Sequence, residues 1–215
     1  MYLTRVEIDT ENRRKIRDLT HLGAYHNWVE QSFPKEFAEG IRTRKLWRID
    51  QLYGKKYLLI LSETQPDLSA VEVYGKKESA ECKCYDDYLN ALTEGERMRF
   101  RLVANPVHAV VEEGKRGIER PHITALHQMD YFMARTLKNG FSVSENDVRI
   151  VERGYEVLRK PNMKSVRVVK AAYEGILTIT NIGCFREALL YGIGKKKAYG
   201  FGLLTVIPVE NGHGG

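Results

Sequence analysis

Residues Arg97–Ala104 read RMRFRLVA, and their first six positions alternate strictly between arginine and apolar side chains. Alternation with a period of two is typical of a β-strand with one buried face, because successive side chains point to opposite sides of a sheet. The predicted buried face carries Met98, Phe100 and Leu102. The opposite face presents a comb of arginines at intervals of ~7 Å, namely Arg97, Arg99 and Arg101. This stretch predicts a half-buried strand, and the patterns around it indicate the fold.

The chain after this strand completes a β-α-β-β-α-β pattern. The predicted elements are a helix over Thr124–Lys138, strands over Val148–Leu158 and Val166–Ile179, a helix over about Cys184–Tyr191 and a strand over Leu203–Pro208. The first of these helices is predicted to bury an apolar stripe of Leu126, Met129, Met133 and Leu137. Its wet face is predicted to carry Gln128, Tyr131, Arg135 and Lys138.

The chain before this strand follows the same plan. Its predicted elements are a strand over Tyr2–Ile8, a helix over Leu22–Phe33 stopped by Pro34, strands over Lys45–Asp50 and Tyr57–Ser62, a weaker strand over Val71–Tyr74 and a helix over Tyr85–Leu92. Two such units predict an α+β fold of two tandem ferredoxin-like (RRM-type) domains, each a four-stranded antiparallel sheet with helices on one face. We expect an N-terminal domain over residues 1–92 and a C-terminal domain over residues 93–215.

The composition indicates a reducing compartment. The chain has 215 residues, a net charge of +6 and three cysteines. Three cysteines are too few for the disulfide framework of a secreted protein, and an odd number leaves one of them unpaired. Its first 19 residues lack the apolar core and cleavage site of a signal peptide, and no run of ~18 apolar residues predicts a membrane span. We therefore expect a cytoplasmic protein without a membrane partner. The basic balance is a weak hint of a polyanionic ligand such as nucleic acid.

The most unusual segment is Gly192–Gly202, which reads GIGKKKAYGFG between a predicted helix and a predicted strand. It matches neither the dinucleotide-binding fingerprint nor the P-loop pattern. Glycines permit close approach of backbone amides to a phosphate, and the lysines Lys195, Lys196 and Lys197 would supply charge. The alternative is a solvated basic turn whose glycines only end the helix and start the strand.

His26 lies at the edge of the predicted apolar stripe of the first long helix. A lone histidine there is usually a structural, half-buried residue. The functional alternative is a general acid or base, since an ordinary imidazole titrates near neutral pH. Metal coordination is not expected, because His122 and His127 do not share a helix face and Cys82-x-Cys84 has no second pair at zinc spacing. We expect neither a metal nor another cofactor.

Six segments together resemble the CasE-type endoribonucleases of type I-E CRISPR systems, in the order and spacing of that family. They are MYLTRV at residues 1–6, RDL at 17–19 followed by His26, LWR at 46–48, FRLVANP at 100–106, YEG at 173–175 and the glycine-rich loop through GLL at 202–204. The resemblance extends from residue 1 to about residue 208 and implies tandem ferredoxin-like domains.

The resemblance also implies an activity. Such proteins bind the hairpin of a CRISPR repeat in precursor RNA and cut at the 3′ base of the stem without a metal. The ribose 2′-hydroxyl attacks the adjacent phosphate, which leaves a 2′,3′-cyclic phosphate and a 5′-hydroxyl end. The product stays bound, and the protein becomes a subunit of the Cascade complex beside other Cascade subunits.

Carried onto this sequence, the resemblance assigns catalysis to His26, with its role as acid or base left open. Some family members have a tyrosine three residues earlier, where this chain has Gly23, so either the neighbouring Tyr25 replaces it or the hydroxyl contribution is absent. The implied RNA-binding residues are Lys115 and Arg116 in a basic loop, Arg159 and Lys160 near the cleavage site, and Lys195, Lys196 and Lys197 in the glycine-rich loop.

Two other functions stay open at this point. A non-catalytic hairpin-binding subunit would keep the basic loops and have no need of His26. A tandem RRM-type binder of single-stranded RNA normally exposes aromatic side chains on a sheet strand. Gly200-Phe201-Gly202 is the segment most similar to such a strand, and its residues are in the wrong order.

Overall fold

A computed structural model of the chain describes residues 1–110, 118–159 and 164–209. The chain divides into two compact units. Unit 1 comprises residues 1–91, 156–168 and 196–201, and unit 2 comprises residues 92–155, 169–195 and 202–215. Each unit is made of three separate segments of the chain. The single domain boundary after residue 92 stays a prediction.

Unit 1 is built on a four-stranded antiparallel sheet. Its elements are β1 Tyr2–Glu7, α1 Arg13–Ile16, α2 Leu22–Gln31, α3 Pro34–Glu39, β2 Lys45–Leu52, β3 Lys55–Ser62, α4 Leu68–Val71, β4 Glu81–Cys84 and α5 Asp86–Ala91. The strand order is β2-β3-β1-β4, the order of a ferredoxin-like sheet. The core is formed by Val6 of β1, Leu58 and Ile60 of β3 and Trp28 of α2, whose Nε1 donates to the Val71 carbonyl at 3.1 Å.

Unit 2 repeats this topology with one more strand. Its elements are β5 Arg97–Ala104, β6 Val107–Val110, β7 Ile118–Pro121, α6 Ala125–Thr136, β8 Phe141–Ser142, β9 Val148–Leu158, β10 Val166–Ile179, α7 Ile182–Tyr191 and β11 Leu204–Pro208, with short 3-10 turns at Leu137–Asn139 and Glu145–Asp147. The end of β9 and the start of β10, within residues 156–168, belong to unit 1, as does a third 3-10 turn at Lys197–Tyr199. The order is β11-β5-β10-β8, and β9 also pairs with β10, so the described part of this sheet has five strands instead of four. The predicted fold class is confirmed.

The alternation in β5 has the predicted effect. Met98, Phe100 and Leu102 are buried, and the Phe100 ring stacks on Phe132 of α6 at 5.4 Å between centroids. Arg97 and Arg99 are exposed on the other face, and Arg101 is half-buried. β5 therefore lies in the middle of the sheet with its apolar face against α6.

The predicted burial of α6 is wrong. Leu126 is 69% exposed and Leu137 is 72% exposed. The helix instead buries Gln128, Tyr131, Phe132 and Thr136. Gln128 is buried with its polar groups in hydrogen bonds: it donates to the His122 carbonyl at 2.8 Å and accepts from Arg153 at 2.7 Å. Such pairing removes the cost of burying an amide, so polarity alone did not indicate the wet face.

The weak strand predicted over Val71–Tyr74 is also wrong. Helix α4 ends at Val71, and the fourth strand of unit 1 is instead β4 at Glu81–Cys84. The Asp67 side chain caps α4 by accepting from the Ser69 amide at 2.9 Å. Among the described residues, no helix has the length and apolar character needed to cross a membrane.

Candidate functional site

His26 lies on α2 at the edge of the face that this helix buries. The His21 side chain caps the helix, because its Nδ1 accepts a hydrogen bond from the Ala24 amide at 3.1 Å. Trp28 and Val29 are fully buried, whereas the His26 side chain is 22% exposed. The fold therefore holds this imidazole in place and still lets it reach the surface, as proton transfer with a ligand requires.

Two side chains of unit 1 flank the His26 ring. The centroid of the Tyr199 ring lies 5.1 Å from that of His26, with the planes tilted by 53°. Glu30, one helical turn further along α2, places Oε1 at 3.9 Å from His26 Nδ1, and its Oε2 accepts from Arg42 Nε at 3.0 Å. The distance of 3.9 Å is that of an ion pair and is too long for a hydrogen bond, so Glu30 places a negative charge beside the imidazole ring.

A cavity of about 390 Å³ lies beside His26. Its walls come from α2, from α3 and from the segment after α3, and include Asn27, Glu30, Phe37, Ile41 and Arg42. The wall thus combines carboxylate, guanidinium and apolar groups next to the one histidine of the cavity lining.

Tyr25 packs against two tryptophan rings. Its ring stacks on Trp47 at 6.0 Å and lies 6.4 Å from Trp28, measured between centroids. Burial, with a smaller contribution from the Glu156 carboxylate, raises the pKa of the Tyr25 phenol. The phenol therefore stays protonated at neutral pH and can serve as a hydrogen-bond donor but not as a base.

Gly23 occupies the position three residues before His26, and the structure leaves no room for a side chain there. A Cβ built on Gly23 would lie 2.2 Å from the carbonyl oxygen of Arg159, closer than real contacts allow. The backbone of the segment that contains Arg159 occupies the space a side chain would need. A tyrosine at this position would require that segment to move.

The glycine-rich loop reaches α2 and β2 through its second half, residues 196–201. Trp47 Nε1 donates to the Ala198 carbonyl at 3.0 Å, and a Cβ on Gly200 would lie 2.7 Å from the Trp47 ring. Gly200 has a φ of +83° and Lys196 a φ of +59°, both in the left-handed region. Packing and backbone conformation therefore explain why residue 200 is a glycine. A phosphate-binding role for the loop depends on its lysines.

The three lysines of the loop differ in environment. Lys195 belongs to unit 2, where its Nζ lies 2.8 Å from Glu119 Oε1. Lys196 is exposed, and Lys197 is half-buried. Burial, and then the nearby Arg44 guanidinium, lower the pKa of the Lys197 ammonium. Perturbed titration of this kind is common at functional sites.

The predicted site residues are divided between the two units. His26, Tyr25, Arg159, Lys196 and Lys197 belong to unit 1, and Lys195 belongs to unit 2. Lys115, Arg116 and Lys160 lie outside the described residues. Sequence reasoning missed Tyr199 and Glu30; the spacing of four residues between His26 and Glu30 was a usable signal, whereas nothing local connects His26 to a tyrosine so far along the chain.

No group of three or more His, Cys, Asp or Glu side chains suited to a metal ion occurs in the described ranges. Cys82, Cys84 and Cys184 are free thiols.

Comparison with known proteins gives consistent matches over most of the chain. The model of a family described as "CRISPR associated protein" matches residues 1–208. The CRISPR-associated endoribonuclease Cse3 of Thermus thermophilus is 29% identical over 97% of this chain and 100% of its own length. The CRISPR system Cascade subunit CasE of Escherichia coli is 25% identical over 71% of this chain and 75% of its own length.

Solved structures agree with these sequence matches. The structure of CRISPR endoribonuclease Cse3 bound to a 19-nucleotide RNA aligns with a TM-score of 0.80 and 28% identity, covering 97% of this chain and 100% of that one. A Thermus thermophilus Cse3 bound to an RNA that represents a pre-cleavage complex aligns with a TM-score of 0.77 and 27% identity, covering 96% and 98%. With the tandem ferredoxin-like topology and a family match over residues 1–208, this chain belongs to the CRISPR associated protein family, as a CasE-type member.

Proposed function

We propose that this protein is a metal-independent endoribonuclease that processes CRISPR RNA. It binds the repeat hairpin of the precursor and cleaves at the 3′ base of the stem. The observation that carries the proposal is a partly exposed histidine beside a loop that bears lysines, in a chain that aligns along nearly its whole length with an RNA-bound endoribonuclease.

In the proposed reaction the ribose 2′-oxygen forms a bond to the adjacent phosphorus while the bond from phosphorus to the 5′-oxygen breaks. The 2′-hydroxyl proton leaves to a base, and the departing 5′-oxygen takes up a proton. The products are a 2′,3′-cyclic phosphate and a 5′-hydroxyl end. Three contributions are needed: in-line positioning, proton transfer and cationic stabilisation of the phosphorane.

His26 supplies proton transfer in this proposal, as base for the 2′-hydroxyl or as acid for the 5′-oxygen. Its contact with Tyr199 and the Glu30 carboxylate at 3.9 Å from Nδ1 support this role, since both restrict the orientation of the imidazole. Tyr25 is the candidate for an additional hydroxyl donor, because its phenol stays protonated. Lys197 is the candidate for stabilising charge on the phosphorane, because it lies in the loop that packs on α2.

RNA binding in this proposal rests on shape and charge. A-form RNA hides its base edges in a narrow major groove, so proteins recognise a stem mainly through its phosphates and its form. The proposed phosphate-binding side chains are Arg159, Lys195, Lys196 and Lys197, together with Lys115, Arg116 and Lys160. The product stays bound by the same contacts, and the protein then serves as a Cascade subunit in the cytoplasm.

The experiment that tests this function compares two hairpin RNAs in excess EDTA. One carries an ordinary ribose immediately 5′ of the expected cut, and the other carries a 2′-deoxy sugar there. Cleavage of the first and not of the second supports attack by the 2′-hydroxyl without a metal. Tight binding without cleavage of either RNA would instead support a non-catalytic binding subunit, and cleavage of both would indicate an external water nucleophile.

A further inference from the structure

The comb of arginines on β5 has no part in the proposed cleavage site, and it lies on the face of the sheet opposite α6. Strand pairing places Ile176 of β10 and Ile207 of β11 on either side of Arg99. Directly paired residues of antiparallel strands point to the same face of the sheet. Ile207 is 60% exposed, so the comb and its aliphatic neighbours form an open surface of unit 2.

This surface contains a cavity of about 570 Å³, which we call the arginine groove; Arg99, Arg101, Arg149, Asp147 and Glu174 supply its charged groups. Ligand pockets commonly span about 300–1,000 Å³. Gly175 on β10 shapes the wall, because a Cβ there would lie 1.9 Å from the carbonyl oxygen of Asp147. Only glycine at this position lets the start of β9, and with it Arg149, approach the sheet this closely.

Two guanidinium groups of the arginine groove are available to a ligand. Arg101 pairs with Glu174, and Arg97, next along the comb, lies 4.0 Å from Asp147. Arg99 and Arg149 are exposed, and their guanidinium groups have no ion-pair or hydrogen-bond partner within residues 1–110, 118–159 and 164–209. A planar guanidinium binds a phosphate through two parallel hydrogen bonds and also stacks on a nucleobase.

The mixture of charges in the groove indicates what kind of anion it accepts. Three arginines share the lining with two carboxylates, and Asn146 and Thr205 add neutral polar groups. An acidic peptide offers carboxylates to the arginines but few side-chain donors to Asp147 and Glu174. A ribonucleotide segment offers phosphates for Arg99 and Arg149, and its 2′-hydroxyl and amino groups can donate to the carboxylates.

We propose that the arginine groove binds single-stranded RNA that flanks the hairpin, with phosphates on Arg99 and Arg149. The contact rests on the proposed function for the identity of the RNA, but not on catalysis. It differs from RRM-type binding because aliphatic side chains and guanidinium planes take the place of exposed aromatic rings. The groove thus extends the RNA contacts beyond the stem.

The test uses three fluorescein-labelled RNAs and measures dissociation constants by anisotropy. They are a hairpin with a 2′-deoxy sugar at the cut, the same hairpin with ten unpaired nucleotides at the 5′ or 3′ end, and a decauridylate. We expect one extension to tighten binding and decauridylate to bind alone. Arg99→Gln and Arg149→Gln should each weaken these two single-strand contributions by about tenfold, with affinity for the bare hairpin unchanged.

Two controls define the result. Lys138→Gln removes one charge from an exposed site in the 3-10 turn after α6 and should change none of the three affinities. Arg99→Lys should bind the extended hairpin and decauridylate more tightly than Arg99→Gln does. The proposal is overturned if neither extension nor decauridylate gains affinity from the two arginines, or if an oligoglutamate competes better than decauridylate. If the wild-type protein fails to cleave the all-ribose hairpin while its binding of decauridylate still depends on Arg99 and Arg149, the proposed function is refuted and the proposal for the arginine groove is retained.

Discussion

At the scale of single residues, His26 is the side chain on which the proposed chemistry depends. We expect His26→Ala to lower the cleavage rate of the hairpin by ~10²–10⁴-fold, because a positioned general acid or base contributes a factor of that size. Affinity for the hairpin should change little, since His26 is one contact among many and the basic side chains supply most of the attraction to phosphates. Single-turnover cleavage and anisotropy on the same variant measure the two effects separately.

The matched control is His127→Ala, which removes an exposed histidine of α6. It should leave the rate and the affinity at the wild-type level. A His26→Ala variant that cuts at the wild-type rate would return His26 to a structural role at the edge of α2.

Tyr25 offers a second prediction at this scale. Tyr25→Phe removes only the hydroxyl and keeps the ring that packs on Trp47 and Trp28. If the protonated phenol donates to the scissile phosphate, the cleavage rate should fall by about ten- to a hundredfold, because a hydrogen bond to a charged group contributes ~1.5–3 kcal/mol. The thermal midpoint should stay unchanged. A wild-type rate would assign Tyr25 to packing alone.

At the scale of elements, the sequence predicted strands better than helix faces. The burial of side chains along β5 follows the alternation in its sequence, because apolar and charged side chains differ strongly in the free-energy cost of burial. The orientation of α6 did not follow from its apolar residues, because Gln128 has partners inside unit 2 and Tyr173 donates its hydroxyl to the Gln128 carbonyl at 2.7 Å. Partners supplied by distant segments cannot be inferred from the pattern of one helix.

The candidate site also combines residues that a local pattern reveals with residues that only the folded chain brings together. His26 was found from its place on α2 and from the resemblance, whereas Tyr199 was not, because only the folded chain brings the glycine-rich loop onto α2. The loop glycines looked like a phosphate cradle in sequence. In the structure, Gly200 is required by the Trp47 ring, which is a packing constraint that composition does not reveal.

The cluster around Glu36 gives a stability prediction for α3 and its neighbours. The Glu36 carboxylate accepts from Lys45 Nζ at 2.6 Å, from Thr43 and from Thr64, so it connects α3 to β2 and to the segment after β3. Burial alone would raise the pKa of this carboxyl, but the hydrogen bonds from Lys45 and the two threonines lower it from 4.5 to about 2. The ionised form is therefore stabilised in the folded state.

A carboxyl with a lowered pKa stabilises the fold above its unfolded value and loses that effect as the pH falls through the folded value. We expect the contribution of Glu36, about 3 kcal/mol, to be complete above pH 4.5 and to disappear toward pH 2. Urea unfolding across this range should show a shallower pH dependence for Glu36→Gln than for the wild type. Glu39→Gln, an exposed carboxyl of the same helix, should follow the wild-type curve.

At the scale of the whole molecule, the net charge of +6 raises the question of whether RNA affinity comes from overall charge or from particular contacts. Binding that neutralises phosphates releases counterions, and each such contact adds about 0.7–0.9 to the slope of log affinity against log salt. Overall charge alone requires no particular lysine. The loop lysines separate these alternatives, because Lys195 is already paired with Glu119 whereas Lys196 is exposed.

We expect Lys196→Gln combined with Lys197→Gln to reduce this slope by up to about 1.8, measured with a non-cleavable hairpin RNA between 50 and 200 mM salt. Lys195→Gln alone should reduce it less, because Glu119 already neutralises part of that charge. The control removes two lysines from other exposed sites, Lys83→Gln with Lys138→Gln, and should leave the slope unchanged. An equal reduction in the control would mean that affinity follows total charge, and the glycine-rich loop would then be an ordinary basic turn.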